Sequence, residues 1–269
     1  MAILHAIRES GRRVGALLHR FMWSGDEFSD DDQPTVSTGF RRLDQELPGG
    51  GWPVGTLTEL LLPRAGIGEL RLLAPVLRRL ADEERWMVLI APPALDDCKH
   101  LPYGPALEKL GLRLDRLLVI DADQATDRLW AVEQSLRCPS FGALLVWLPE
   151  ARPDQLRRLQ LAAQGSDGLC FVMRPQTAQI ESSPAPLRLA CKAVRGSHVG
   201  ELTGTSPHRL EIDILKRRGP WLDAPLRLEL PPPLVSLGQA DPIESPLPAL
   251  QPVRYDHAVD RPRLYAAAA

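Results

Sequence analysis

Residues 57–73 read LTELLLPRAGIGELRLL. An apolar run ends at Pro63, a short loop carrying Gly66 and Gly68 follows, and a helical pattern opens at Glu69. Strand, glycine-bearing loop and helix in that order is the layout of a loop that cradles phosphate with backbone N–H groups. The chemistry of such a loop needs the pattern G-x-x-x-x-G-K-[ST]. Its lysine neutralises phosphate charge and its hydroxyl holds Mg²⁺. Here Pro63 stands at the first glycine, Gly68 at the second, Glu69 at the lysine and Leu70 at the hydroxyl. At about 4 Å and an effective dielectric of about 20, a carboxylate in the lysine's place turns an attraction into a repulsion of about 4 kcal/mol. The strand that would end in a metal-binding acid, within GALLVWLP (142–149), has Trp147 near that place. Three parts of ATP chemistry are thus absent together. The loop is predicted to keep the geometry of a phosphate loop without binding nucleotide, and no cofactor is expected. Gly66 and Gly68 then serve the turn, and Glu69 suits the first turn of a helix.

Outward from this unit, apolar runs alternate with amphipathic segments. GTLTELLL (55–62), WMVLIAP (86–92), RLLVIDA (116–122), GALLVWLP (142–149) and GLCFVMRP (168–175) read as buried strands. Between them, 69–85, 127–137 and 152–165 read as helices. The helix at 69–85 places Leu70, Leu73, Val76, Leu77 and Leu80 on one face. Such alternation predicts an α/β fold, a mainly parallel sheet with helices on both faces. LRLACKAV (187–194) and RLEIDILKRR (209–218) alternate like half-exposed strands and predict an antiparallel extension at the sheet edge.

The 269 residues divide by composition. Residues 1–24 are predicted to be an N-terminal amphipathic helix, 25–35 an acidic linker, 36–219 the core and 220–269 a Pro-rich C-terminal tail. The tail is expected to act either as a partner-docking arm or as a strap across the core. Net charge is −2, so nothing draws the whole chain toward nucleic acid. Cys98, Cys138, Cys170 and Cys191 are far apart, form no CxxC pair and read as reduced thiols. His5, His19, His100, His198, His208 and His257 show no metal-ligand spacing. No secretory signal pattern and no long apolar run occurs, which points to the cytoplasm and away from a membrane. No catalytic residue and no metal site is predicted.

The stretch STGFRRLDQELPGGGWPVGTLTELLLP, residues 37–63, resembles the opening of the RecA-type core. It carries Thr38-Gly39, Leu43-Asp44, the turn Gly49-Gly50-Gly51, Pro53, Gly55 and Glu59. LPGGGWPVGTLTEL followed by a degenerate loop is similar to the ImuA branch, formerly grouped with the SulA division inhibitors. The likeness continues weakly through 110–121, 143–151, 169–175 and 210–219. It implies an accessory protein of SOS-induced error-prone translesion synthesis. The implied partners are an ImuB-type polymerase-like protein, an error-prone replicative polymerase and RecA. The family brings no catalytic residues. Two other readings stay open: a RecA-like ATPase with a non-standard loop, and a SulA-like inhibitor that binds the septal tubulin homologue.

RecA-type recombinases hold single-stranded DNA with long loops, whereas PQTAQIESSPAP (175–186) is short and lacks lysine and arginine. DNA contact is therefore expected to be weak or indirect. Lys216-Arg217-Arg218 is the candidate contact for DNA or an acidic partner. Arg41-Arg42, Arg78-Arg79 and Arg157-Arg158 read as solvated edges.

Overall fold

The structure is a computed structural model that describes residues 33–91, 104–122, 124–138, 141–194, 209–220, 222–231 and, as backbone strands, 251–252 and 263–266. The expected N-terminal helix, nearly all of the acidic linker, Cys98 and all six histidines lie outside the described residues.

Strands β1 (Thr35–Val36) and β2 (Trp52–Pro53) pair in a small separate ladder. Helix α1 (Arg41–Asp44) lies between them, and Asp44 ties back to the entering chain, accepting from the Thr38 backbone N–H at 2.8 Å and the Ser37 hydroxyl at 2.6 Å. Gly51 lets this turn close, since a Cβ there would collide with the Val36 carbonyl. The turn seats Trp52, fully buried, edge-on to Phe171 at 5.3 Å between ring centres.

The main sheet joins β3 (Leu57–Leu62), β4 (Trp86–Ile90), β5 (Leu117–Asp121), β6 (Phe141–Trp147), β7 (Leu169–Pro175), β8 (Leu187–Val194), β9 (Arg209–Lys216), β10 (Leu226–Glu229), β11 (Gln251–Pro252) and β12 (Arg263–Ala266). Their spatial order is β10-β9-β8-β3-β7-β6-β4-β5-β12-β11. The six strands from β8 to β5 run parallel, and the two at each end are antiparallel. Helices α2 (Glu69–Asp82), α3 (Gly104–Lys109), α4 (Ala125–Leu136) and α5 (Pro153–Ala163) supply the covering layers. Leu72, Leu73, Val76 and Leu77 of α2 pack with Leu60, Leu89 and Leu145 in one core. Val132 and Leu136 of α4 and Leu156 and Leu159 of α5 pack with Ile90, Leu144 and Val172 in a second. A parallel sheet covered on both faces needs apolar residues on both sides of each strand, and β3 and β6 are buried throughout.

The expected mixed α/β layout with a mainly parallel sheet is present. It differs in detail. β8 is parallel to β3, and the antiparallel extension begins only at β9. Within the stretch expected to be a tail, Leu226, Leu228 and Leu230 are buried while Arg227 and Glu229 are exposed, so that alternation makes β10 a sheet strand. β11 and β12 add a further hairpin beside β5.

Candidate functional site

Between Leu62 and Glu69 the loop turns through Gly66 at φ +77° and Gly68 at φ +119°, and Ile67 between them is buried in the core. Both glycine N–H groups point inward. Gly66 donates to Glu69 Oε1 at 2.7 Å and Gly68 donates to Glu69 Oε2 at 3.1 Å. The Glu69 side chain, 4% exposed, folds back so that its carboxylate fills the cradle the loop makes. The N-terminus of α2 favours negative charge there, so an anion supplied by the chain itself satisfies both the donors and the dipole.

The chain also closes over this loop from outside. Arg71 Nη1 donates to the Pro231 carbonyl at 3.1 Å, and a Cβ on Gly68 would lie 2.7 Å from Leu230 Cδ1 and 3.1 Å from Arg71 Nη2. Burial holds the Arg71 guanidinium below its usual pKa, with the Glu69 charge acting in the opposite direction. Pro63 is exposed, Leu70 is half-buried against the core, and Trp147 is buried at the end of β6 with its indole N–H unpartnered among the described residues. Sequence reasoning placed Glu69 at the lysine position. It did not show that Glu69 turns inward.

A second constellation was missed. Glu59, in the middle of β3 and fully buried, accepts from Arg188 Nε at 2.7 Å and from the Ser183 hydroxyl at 2.6 Å. Arg174 Nη1 stands 3.8 Å from the same carboxylate, and its Nη2 donates to the Ala151 carbonyl and to Glu181 Oε2. Arg188 also donates to the carbonyls of Glu181 and Ala178. The segment joining β7 to β8 is thereby pinned at Ala178, Glu181 and Ser183. Arg174 Nε and Nη1 make no hydrogen bond among the described residues. The available signal was a charged residue among apolar neighbours in each of three strand segments: Glu59, Arg174 and Arg188.

Of the candidate basic trio, Lys216 Nζ donates to the Ser183 carbonyl at 2.9 Å. Its pKa is lowered by burial first and by Arg188 second, with Glu59 opposing. Arg217 pairs with Glu46 at 3.2 Å and donates to the Pro220 carbonyl, and Arg218 is exposed. Lys216 and Arg217 therefore brace the end of β9.

A family model described as Cell division inhibitor SulA matches residues 55–170, from the approach to β3 through the loop to the start of β7. The cell division inhibitor SulA of Photorhabdus laumondii is 30% identical over 128 residues, which are 48% of this chain and 69% of that protein. The chain belongs to the SulA family. The cell division inhibitor SulA of Edwardsiella piscicida is 29% identical, over 47% of this chain and 70% of that protein. A crystal structure of SulA from Pseudomonas aeruginosa aligns with 46% of this chain and 99% of its own, at 28% identity and a TM-score of 0.36.

These relatives correct the expected role. They are named as cell division inhibitors, which overturns the translesion accessory function and the ImuB-type, RecA and replicative-polymerase partners. The reason lies in what the resembling residues do. Gly49, Gly51, Trp52 and Gly55 build the turn into β3, and Glu59 anchors buried arginines. They shape the scaffold around the turn and β3. Among the described residues, no helix is long and apolar enough to cross a membrane.

Proposed function

We propose that this chain is a non-enzymatic inhibitor of cell division, induced in the SOS response, which acts in the cytoplasm by binding the septal tubulin homologue. The observation that carries the reading is the family match across residues 55–170, together with relatives named for division inhibition. The loop supports the non-enzymatic part. The Gly66 and Gly68 donors of this loop are taken by Glu69, and Leu230 and the Arg71-bound Pro231 lie against its outer side. In this reading the strand–loop–helix unit descends from a RecA-like nucleotide loop. Pro63, Glu69, Leu70 and Trp147 mark the loss of its chemistry. Lys216, Arg217 and Arg218 stay the candidate contact for an acidic partner, with Arg218 the most exposed.

The test is expression in dividing rod-shaped bacteria, with cell length and septa scored by microscopy. Induced cells are expected to grow into filaments without septa. Cells of normal length, with soluble chain verified in the lysate, would remove the proposal.

A further inference from the structure

Leu226, Leu228 and Leu230 make one buried row along β10, and the row runs a step past the last paired residue, Glu229, which lies opposite Arg209. Leu230 is buried in the same core as Leu72, Leu73, Val76 and Leu77 of α2. Pro231 has no N–H with which to extend the ladder, and its carbonyl accepts from Arg71 Nη1 at 3.1 Å. Two contacts thus join this end of β10 to the loop. The first is apolar. A Cβ on Gly68 would lie 2.7 Å from Leu230 Cδ1, so the leucine rests directly on the loop backbone. The second is polar. Arg71, in the first turn of α2 and 8% exposed, needs acceptors for a guanidinium held out of water, and the Pro231 carbonyl is one.

The loop is therefore held from two sides. Glu69 takes the Gly66 and Gly68 N–H groups from within, and Leu230 and Pro231 lie on it from without. The outer hold comes from beyond residues 55–170, out of the strand at one end of the sheet order. We infer that residues 230–231 are a strap that locks the loop shut over Glu69, so that the seating of β10 governs how often the Gly66 and Gly68 N–H groups open to water. The strap acts at Gly68, whose left-handed backbone directs its N–H onto Glu69 Oε2. Such coupling is reciprocal: whatever the strap contributes to closing the loop, the closed loop contributes to seating the strap. The strap stands apart from division inhibition, and testing it needs no division protein.

Amide hydrogen exchange, resolved by NMR on the full-length chain, reads it directly. In Leu230→Ala and in Arg71→Met, the Gly66 and Gly68 amides are expected to exchange about tenfold faster, with Leu144–Val146 unchanged. Arg227→Ala is the control: this exposed side chain lies on the same strand, pairs with Glu211 and is expected to leave the loop at its original rate. Unchanged glycine rates in either strap variant would mean that Glu69 closes the loop by itself, and would overturn the strap. Equal acceleration at Leu144–Val146, or an Arg227→Ala effect as large as that of Leu230→Ala, would show general loosening and overturn it too. Glu69→Ala reads the coupling from the other side and leaves both strap residues in place. Amides of Leu226–Glu229 that face β9 are expected to exchange faster relative to Leu144–Val146, and unchanged relative rates contradict the coupling.

Discussion

Glu69 stands where a nucleotide loop needs a lysine, and its carboxylate takes the bonds that phosphate oxygens would take. Removing it leaves two inward N–H groups without a partner, and each such loss costs about 1–3 kcal/mol. Glu69→Ala is therefore expected to lower unfolding stability by about 2–6 kcal/mol in a urea titration; no change would mean that water replaces the carboxylate freely. Glu69→Lys restores one charge but neither the hydroxyl nor the acidic ligand, since Leu70 and Trp147 remain. Calorimetry with Mg-ATP is expected to show no binding by this variant, and a micromolar Kd would refute that. Burial pushes the thiols of Cys170 and Cys191 up to about 12, and for Cys191 the Glu69 charge adds to burial. A folded pKa above the unfolded one means the unfolded chain gives up its thiol proton first. The contribution to stability is thus complete below the ordinary value of 9.0 and is lost as pH rises toward about 12. At pH 8 the exposed Cys138 is expected to react with a thiol reagent in the native chain, whereas Cys170 and Cys191 should react only on unfolding. Native labelling of either buried thiol would contradict the packing described here.

At the scale of elements, β3 does two jobs: it leads into the loop and carries Glu59 to the centre of a buried charge cluster. Breaking one member of a buried pair leaves its partners uncompensated, at a cost of about 3–5 kcal/mol. Glu59→Gln is expected to cost about that much and to loosen the segment between β7 and β8. The exposed pair Arg209–Glu229 is a control, where Glu229→Gln should cost less than about 1 kcal/mol. Equal losses for the two, measured by urea unfolding, would contradict the clamp. The same elements mark what could be read from the sequence. Continuous apolar runs such as 86–90 and 141–147 and the spacing of Leu73, Val76, Leu77 and Leu80 report burial directly, so strands, helices and their alternation were legible. Pairing partners were not, because the parallel set of β8 on β3 depends on Arg188 reaching Glu59 across the sheet. The short helix Gly104–Lys109 is too brief to show a period, and β12 pairs with a strand far from it in sequence. Likewise Pro63, Glu69 and Leu70 told of lost phosphate chemistry, but not that the vacancy is filled from within.

For the whole molecule, the family match supports the proposed function, and the geometry shows which groups the fold keeps inside. A sheet covered on both faces, a loop closed on itself and a charge cluster turned inward leave the outer surfaces and edges as the places where this chain meets others. The proposed function has this chain act by occupying its partner rather than by turning over nucleotide. The most direct test is sedimentation of polymer formed by the purified septal tubulin homologue with GTP, titrated with this chain in the absence of ATP. Polymer is expected to disappear as the chain approaches equimolar amounts, with the same curve when ATP is added. Undiminished polymer at a large molar excess of folded chain, or inhibition that appears only with ATP, would contradict the account.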